Sequence, residues 1–95
     1  METRFYINLN IKTGDGYQVF ARYYLGDDRR VANEIFEQLK GDKDANEEQM
    51  LHLDFLEMVD NLPVNINVMG CNLSELAENT RIVTREIFKN LNLGA

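Results

Sequence analysis

Two runs of strict alternation, split by a glycine-rich link, constrain this chain most. Phe5, Ile7, Leu9 and Ile11 alternate with Tyr6, Asn8, Asn10 and Lys12. After Gly14-Asp15-Gly16, Tyr17, Val19, Ala21, Tyr23 and Leu25 alternate with Gln18, Phe20, Arg22 and Tyr24. A period of two sends successive side chains to opposite faces, so each run reads as a half-buried strand. The pair reads as an antiparallel hairpin, and parity fixes its expected register. A two-residue loop at Gly14-Asp15 pairs Leu9 with Phe20 and Ile7 with Arg22, which mixes the faces. A three-residue loop closed by Thr13 and Tyr17 pairs Ile11 with Val19, Leu9 with Ala21, Ile7 with Tyr23 and Phe5 with Leu25. It also leaves Gly16 at the positive φ that a type I turn with a bulge requires. The second register is therefore expected.

The spacing then changes to that of a helix. Asp27 or Asp28 can cap it, Val31, Ala32, Ile35, Phe36 and Leu39 form its stripe, and Gly41 stops it near residue 40. Residues 42–47 make a polar, acidic linker. Residues 50–60 fit two patterns. Leu51, Phe55, Met58 and Leu62 suit a helix; Leu51, Leu53 and Phe55 suit a strand, with a bulge moving Leu56 and Met58 to its other face. A turn at Asp60-Asn61-Leu62-Pro63, with Val64, Ile66 and Val68 alternating with asparagines, favours a second hairpin. A second helix follows, capped by Asn72 with Glu75 at its third position. Leu73, Leu76, Ala77, Thr80, Val83, Thr84, Ile87, Phe88 and Leu91 share its stripe, and Gly94 follows its end. Leu76 and Ile87 are expected in the core, and Ile82 outside it.

The order ββαββα predicts an α+β two-layer sandwich: a four-stranded, mainly antiparallel sheet with two helices on one face. Residues 31–39 and 83–91 share Val, Glu-Ile-Phe and Leu in register, 52 positions apart. Gly26 and Gly70, which end the two hairpins, lie 44 apart. Both matches suggest a duplicated ββα unit, with halves 1–41 and 48–95 inside a single domain, 1–95.

A net charge of −6 repels phosphate backbones and anionic membranes, so nucleic-acid and membrane partners are not expected. No run approaches the roughly 20 apolar residues that span a bilayer. Cys71 is the sole cysteine, which rules out an internal disulfide and favours a reducing, cytoplasmic location. The N-terminus leads into strand-like alternation, unlike a secretory signal.

No catalytic or metal-binding residue and no cofactor are assigned, and the chain is not expected to be an enzyme. A turn through 60–63 pairing Val59 with Val64 sets His52 opposite Cys71, near Asp54. That geometry could serve a thiol nucleophile, an alternative reading. Gly14-Asp15-Gly16 precedes a strand, where a phosphate cradle needs a helix. Glu34 and Glu86 sit on helix faces that solvent explains.

The second face of the first hairpin carries Tyr6 opposite Tyr24, Asn10 opposite Phe20, Asn8 opposite Arg22 and Lys12 opposite Gln18. With both helices on the other side, this face is open unless the linker or the tail covers it. Tyr6, Phe20, Arg22 and Tyr24 form the expected interface, because aromatics and Arg are enriched where proteins meet. A homodimer or another protein partner is expected, from an interaction module without catalysis. Base stacking by single-stranded nucleic acid is a further alternative, which the net charge opposes.

Overall fold

The computed structural model describes residues 2–46 and 48–92, with side chains through Asn90. Six main elements run in the order β1 (Thr3–Thr13), β2 (Gly16–Gly26), α1 (Arg29–Glu37), β3 (Leu51–Val59), β4 (Leu62–Cys71) and α2 (Leu73–Ile87). The strands form one antiparallel sheet in the order β2-β1-β3-β4. Residues 51–59 are thus a strand, and the α+β two-layer fold stands. Both helices pack on one face. Phe5, Ile7 and Leu9 of β1, Leu51, Leu53 and Phe55 of β3, and Met69 and Cys71 of β4 meet Ala32, Ile35, Phe36, Ile82 and Val83 in one buried cluster. Within it the Phe36 and Phe55 rings stack at 5.0 Å. Burying one such side chain is worth about 1.5–3 kcal/mol, so this cluster is the main source of stability.

The first hairpin closes differently from expectation. Thr13 pairs with Gly16 around a two-residue turn, giving Ile11↔Gln18 and Asn10↔Val19. Only Gly16 of this turn has positive φ, at 106°. The parity conflict is resolved by a bulge: Phe20 is skipped, so Leu9↔Ala21 and Ile7↔Tyr23 return to the expected pairing. A second shift sets Phe5 against Gly26, not Leu25. The second hairpin also has a two-residue turn. Asp60 and Asn61 both have positive φ, the primed geometry that suits the twist of a tight hairpin. Val59 therefore pairs with Leu62, not Val64, and the bulge falls in β4 at Ile66 and leaves β3 regular.

The two hairpins are copies in register. Thr13↔Gly16, Asn8↔Arg22 and Tyr6↔Tyr24 correspond to Val59↔Leu62, Asp54↔Val68 and His52↔Gly70, each residue shifted by 46. The bulged residues Phe20 and Ile66 obey the same shift. Asn8 and Asp54, themselves 46 apart, pair with each other, so the internal two-fold passes between them. The helices begin with caps Asp28 and Asn72, 44 apart, the separation of Gly26 and Gly70. The 52-residue match of Glu-Ile-Phe has no structural counterpart, because its second copy lies two turns farther along α2.

Asn72 caps α2 with Glu75 in a reciprocal capping box, as expected. The buried stripe of α2 is rotated from its expected position. Ile82 is 4% exposed, whereas Leu73 is 76% and Phe88 54% exposed, and Leu76 and Ile87 are only half-buried. Asn79 is buried, a position the apolar stripe did not mark. After Ile87 the helix passes into a π-helical turn over Phe88–Asn92. The Leu91 side chain, Gly94 and the tail beyond it lie outside the described residues.

Candidate functional site

The sheet face away from the helices is built in rows across the strands. Pairing sets Tyr24, Tyr6, Leu56 and Asn65 side by side, with the bulged Ile66 also standing against Leu56. This row is mostly aromatic or aliphatic from edge to edge. The next row is Arg22, Asn8, Asp54 and Val68; the third is Val19 with the bulged Phe20, then Asn10, His52 and Gly70.

The structure brings three of the four expected interface residues together. The Tyr6 and Tyr24 rings meet at 5.4 Å, and the Arg22 guanidinium lies 5.3 Å from the centre of the Tyr6 ring. A cation over a tyrosine face is attracted by the ring quadrupole. Arg22 Nε also donates to Asn8 Oδ1 at 2.9 Å, so the arginine is held across the face. Phe20 stands apart, two rows away at the bulge. It is 61% exposed and Tyr24 43%. The partners expected from the simpler register change: Asn10 faces Val19 and Phe20, and Lys12 faces Tyr17.

The polar rows are ordered by their own bonds. Asn8 and Asn10 are buried, and Asn10 Nδ2 donates to Asp54 Oδ2 at 2.7 Å. Burial pushes the Asp54 carboxyl above the usual carboxylate range, against the opposing pull of the Asn10 bond and the His52 charge.

The linker covers one end of this face. Tyr17 stacks on His52 at 4.1 Å, and the Tyr17 hydroxyl donates to the Gln49 carbonyl at 2.6 Å. His52 Nε2 lies 2.9 Å from the Asn46 carbonyl. Asp42 forms a two-bond bridge with Gly70, each bond 2.8 Å. A Cβ on Gly41 would overlap the Gly70 carbonyl oxygen, so only glycine lets the linker come this close. The large apolar side chains left exposed on this face are Tyr24, Ile66, Val19 and Phe20, with Tyr6 half-buried and Leu56 buried.

Both sheet edges are unsuited to adding a strand. β4 has Pro63, with no N–H to give; its Val68 N–H is taken by Asn67 Oδ1 at 2.9 Å; and Gly70 is taken by Asp42. β2 is broken by the Phe20 bulge.

His52 and Cys71 lie on opposite faces. Cys71 pairs with Leu51 and points into the helix-side core, while His52 pairs with Gly70 and packs on Tyr17. Burial, helped by the Glu75 charge, pushes the Cys71 thiol up to about 11. The arrangement needed for an activated thiolate does not form. The Asp60-Asn61 turn is two residues tighter than the spacing suggests, which keeps parity, but the extra residue at the Ile66 bulge reverses it and sends Cys71 to the face opposite His52. Among the described residues, no group of three or more His, Cys, Asp or Glu could hold a metal ion. No helix of the described residues is long and apolar enough to cross a membrane. Comparison with protein-family models, with curated proteins and with solved structures finds no match for this chain.

Proposed function

We propose that this chain is a non-catalytic, cytoplasmic interaction module that pairs with a second copy of itself through the outer sheet face. One observation carries the reading. The face that no helix covers carries an aromatic and aliphatic row in which Tyr24 and Ile66 are exposed, Tyr6 is half-buried and Leu56 is buried, and Phe20 and Val19 stand exposed two rows away on the same face. A sheet face left to water is normally polar. Exposed aromatic and aliphatic side chains gathered on one face mark a place where something binds. A second copy is the simplest occupant, because a two-fold axis lets one patch complement itself. Arg22, already fixed over Tyr6, would lie at the rim, and the blunted edges of β2 and β4 argue against edge-to-edge pairing. A stable pairing of this kind buries roughly 1,200–2,000 Å² in total. The test is to replace Phe20 and Tyr24 together by Glu: the double variant should remain folded and become monomeric. An unchanged mass in that variant would remove the outer face from the interface. The net charge of −6 continues to weigh against single-stranded nucleic acid.

A further inference from the structure

A groove of about 1130 Å³ opens at the end of the sheet where β1 finishes and β3 begins. Buried Leu51 and Cys71 with half-buried Ile11 give it apolar walls, and the exposed Met50 and Leu73 extend that surface. On one side the linker is fixed by the Asp42–Gly70 bridge and the close approach of Gly41. On the other side α2 begins. The space is ample for a small molecule, whose sites typically occupy about 300–1,000 Å³.

The charged residues lining the groove are Asp42 and Glu75, and both are acidic. Asp42 Oδ1 accepts from the Asp44 N–H at 2.8 Å and its Oδ2 from Gln49 Nε2 at 3.3 Å, while Glu75 Oε1 accepts from the Asn72 N–H at 2.9 Å. Neither carboxylate has an ion-pair partner among the described residues. The Glu75 charge reaches Cys71, where it helps burial hold the thiol protonated. The flanking linker positions carry both signs, Lys40 and Lys43 against Asp44 and Glu48, and none of the four lines the groove. A helix N-terminus would ordinarily favour an anion, but Glu75 already occupies that position through the capping box.

The geometry points to a binding site for a small organic cation: a protonated amine on an apolar body, its ammonium toward Asp42 and Glu75 and its hydrocarbon against Leu51, Met50 and Leu73. This site is independent of self-association through the outer face.

The probes are n-octylammonium, n-octanoate and n-octanol, titrated separately into the ¹⁵N-labelled full chain at neutral pH and followed by amide shifts. Octylammonium should move the amides of Asp42, Gly70, Cys71 and Leu73 saturably, in the low-millimolar range or tighter, and bind about tenfold more tightly than octanoate. Asp42→Asn with Glu75→Gln should lower octylammonium affinity about tenfold, to that of octanol. Glutamine keeps the capping bond, so α2 should persist. If the double variant does not fold, Leu73→Ser, at a side chain that packs against little, should weaken all three probes. Octanoate binding as tightly as octylammonium, shifts confined to the outer face, or no saturable shift would overturn the proposal.

Discussion

Asn79 of α2 grips the backbone of Lys40 at both ends of one amide: its Nδ2 donates to the Lys40 carbonyl at 2.8 Å and its Oδ1 accepts from the Lys40 N–H at 2.6 Å. The side chain is buried, 1% exposed. It satisfies two backbone groups just beyond α1 and so ties the exit of one helix to the middle of the other.

Asn79→Ala removes both partners and leaves the Lys40 N–H and carbonyl unpaired. The expected cost is about 1–3 kcal/mol for each group left buried and unsatisfied, softened where water enters. Urea unfolding measures it. Asn72→Ala, which removes only the α2 cap, should cost about 1 kcal/mol. A smaller loss for Asn79 than for Asn72 would mean that the clamp contributes little.

The rotated stripe of α2 makes a sharp contrast. Ile82→Ala should cost about 2–5 kcal/mol, the range for a buried aliphatic truncation. Leu73→Ala and Phe88→Ala, at exposed positions, should each stay within about 0.5 kcal/mol of the native protein. Thermal or urea unfolding of the three variants decides it; equal losses would contradict the assigned face.

The same helix marks where sequence periodicity stopped being a guide. The alternation at 4–12 and 17–25 located the strands, and Asn72 with Glu75 located the cap. Two features were invisible. A buried asparagine looks polar in any stripe, so Asn79 drew the apolar face off by one side and left Ile82 outside it. Bulges add one residue without a sequence mark, so Phe20 shifted the register of the first hairpin and Ile66 that of the second, on which the His52–Cys71 pairing depended. The outer-face residues Tyr6, Arg22 and Tyr24 were legible because alternation alone assigns a face. The linker contact was not, because Gly41 and Asp42 dock through backbone atoms.

Cys71 should behave as a core thiol. With its pKa raised to about 11 by burial, then by Glu75, it stays protonated at neutral pH. A thiol reagent near pH 8 should label the native protein far more slowly than a free cysteine, with release on denaturation. His52→Ala should leave the native rate unchanged, because His52 lies on the other face. Fast labelling that His52→Ala abolishes would restore the thiol–imidazole pair.

Asp54 gives a pH signature. Its folded carboxyl titrates above the ordinary range because burial disfavours the charge. The unfolded state therefore loses its proton first. Any stability this group contributes is complete below the unfolded value and lost as pH rises through the folded one. The stability of the native protein minus that of Asp54→Asn should fall as pH rises over the interval that begins near the ordinary carboxylate value of about 3.9. A difference that rises over this interval would require a depressed carboxyl in the fold.

The mass in solution at two concentrations tests the central claim most directly. Sedimentation equilibrium of the native chain should give the mass of two chains at high micromolar concentration, moving toward one chain on dilution. Phe20→Glu with Tyr24→Glu should give one chain at both concentrations with an unchanged helix and strand content. A native protein that sediments as a single chain at high micromolar concentration would contradict self-association through the outer face.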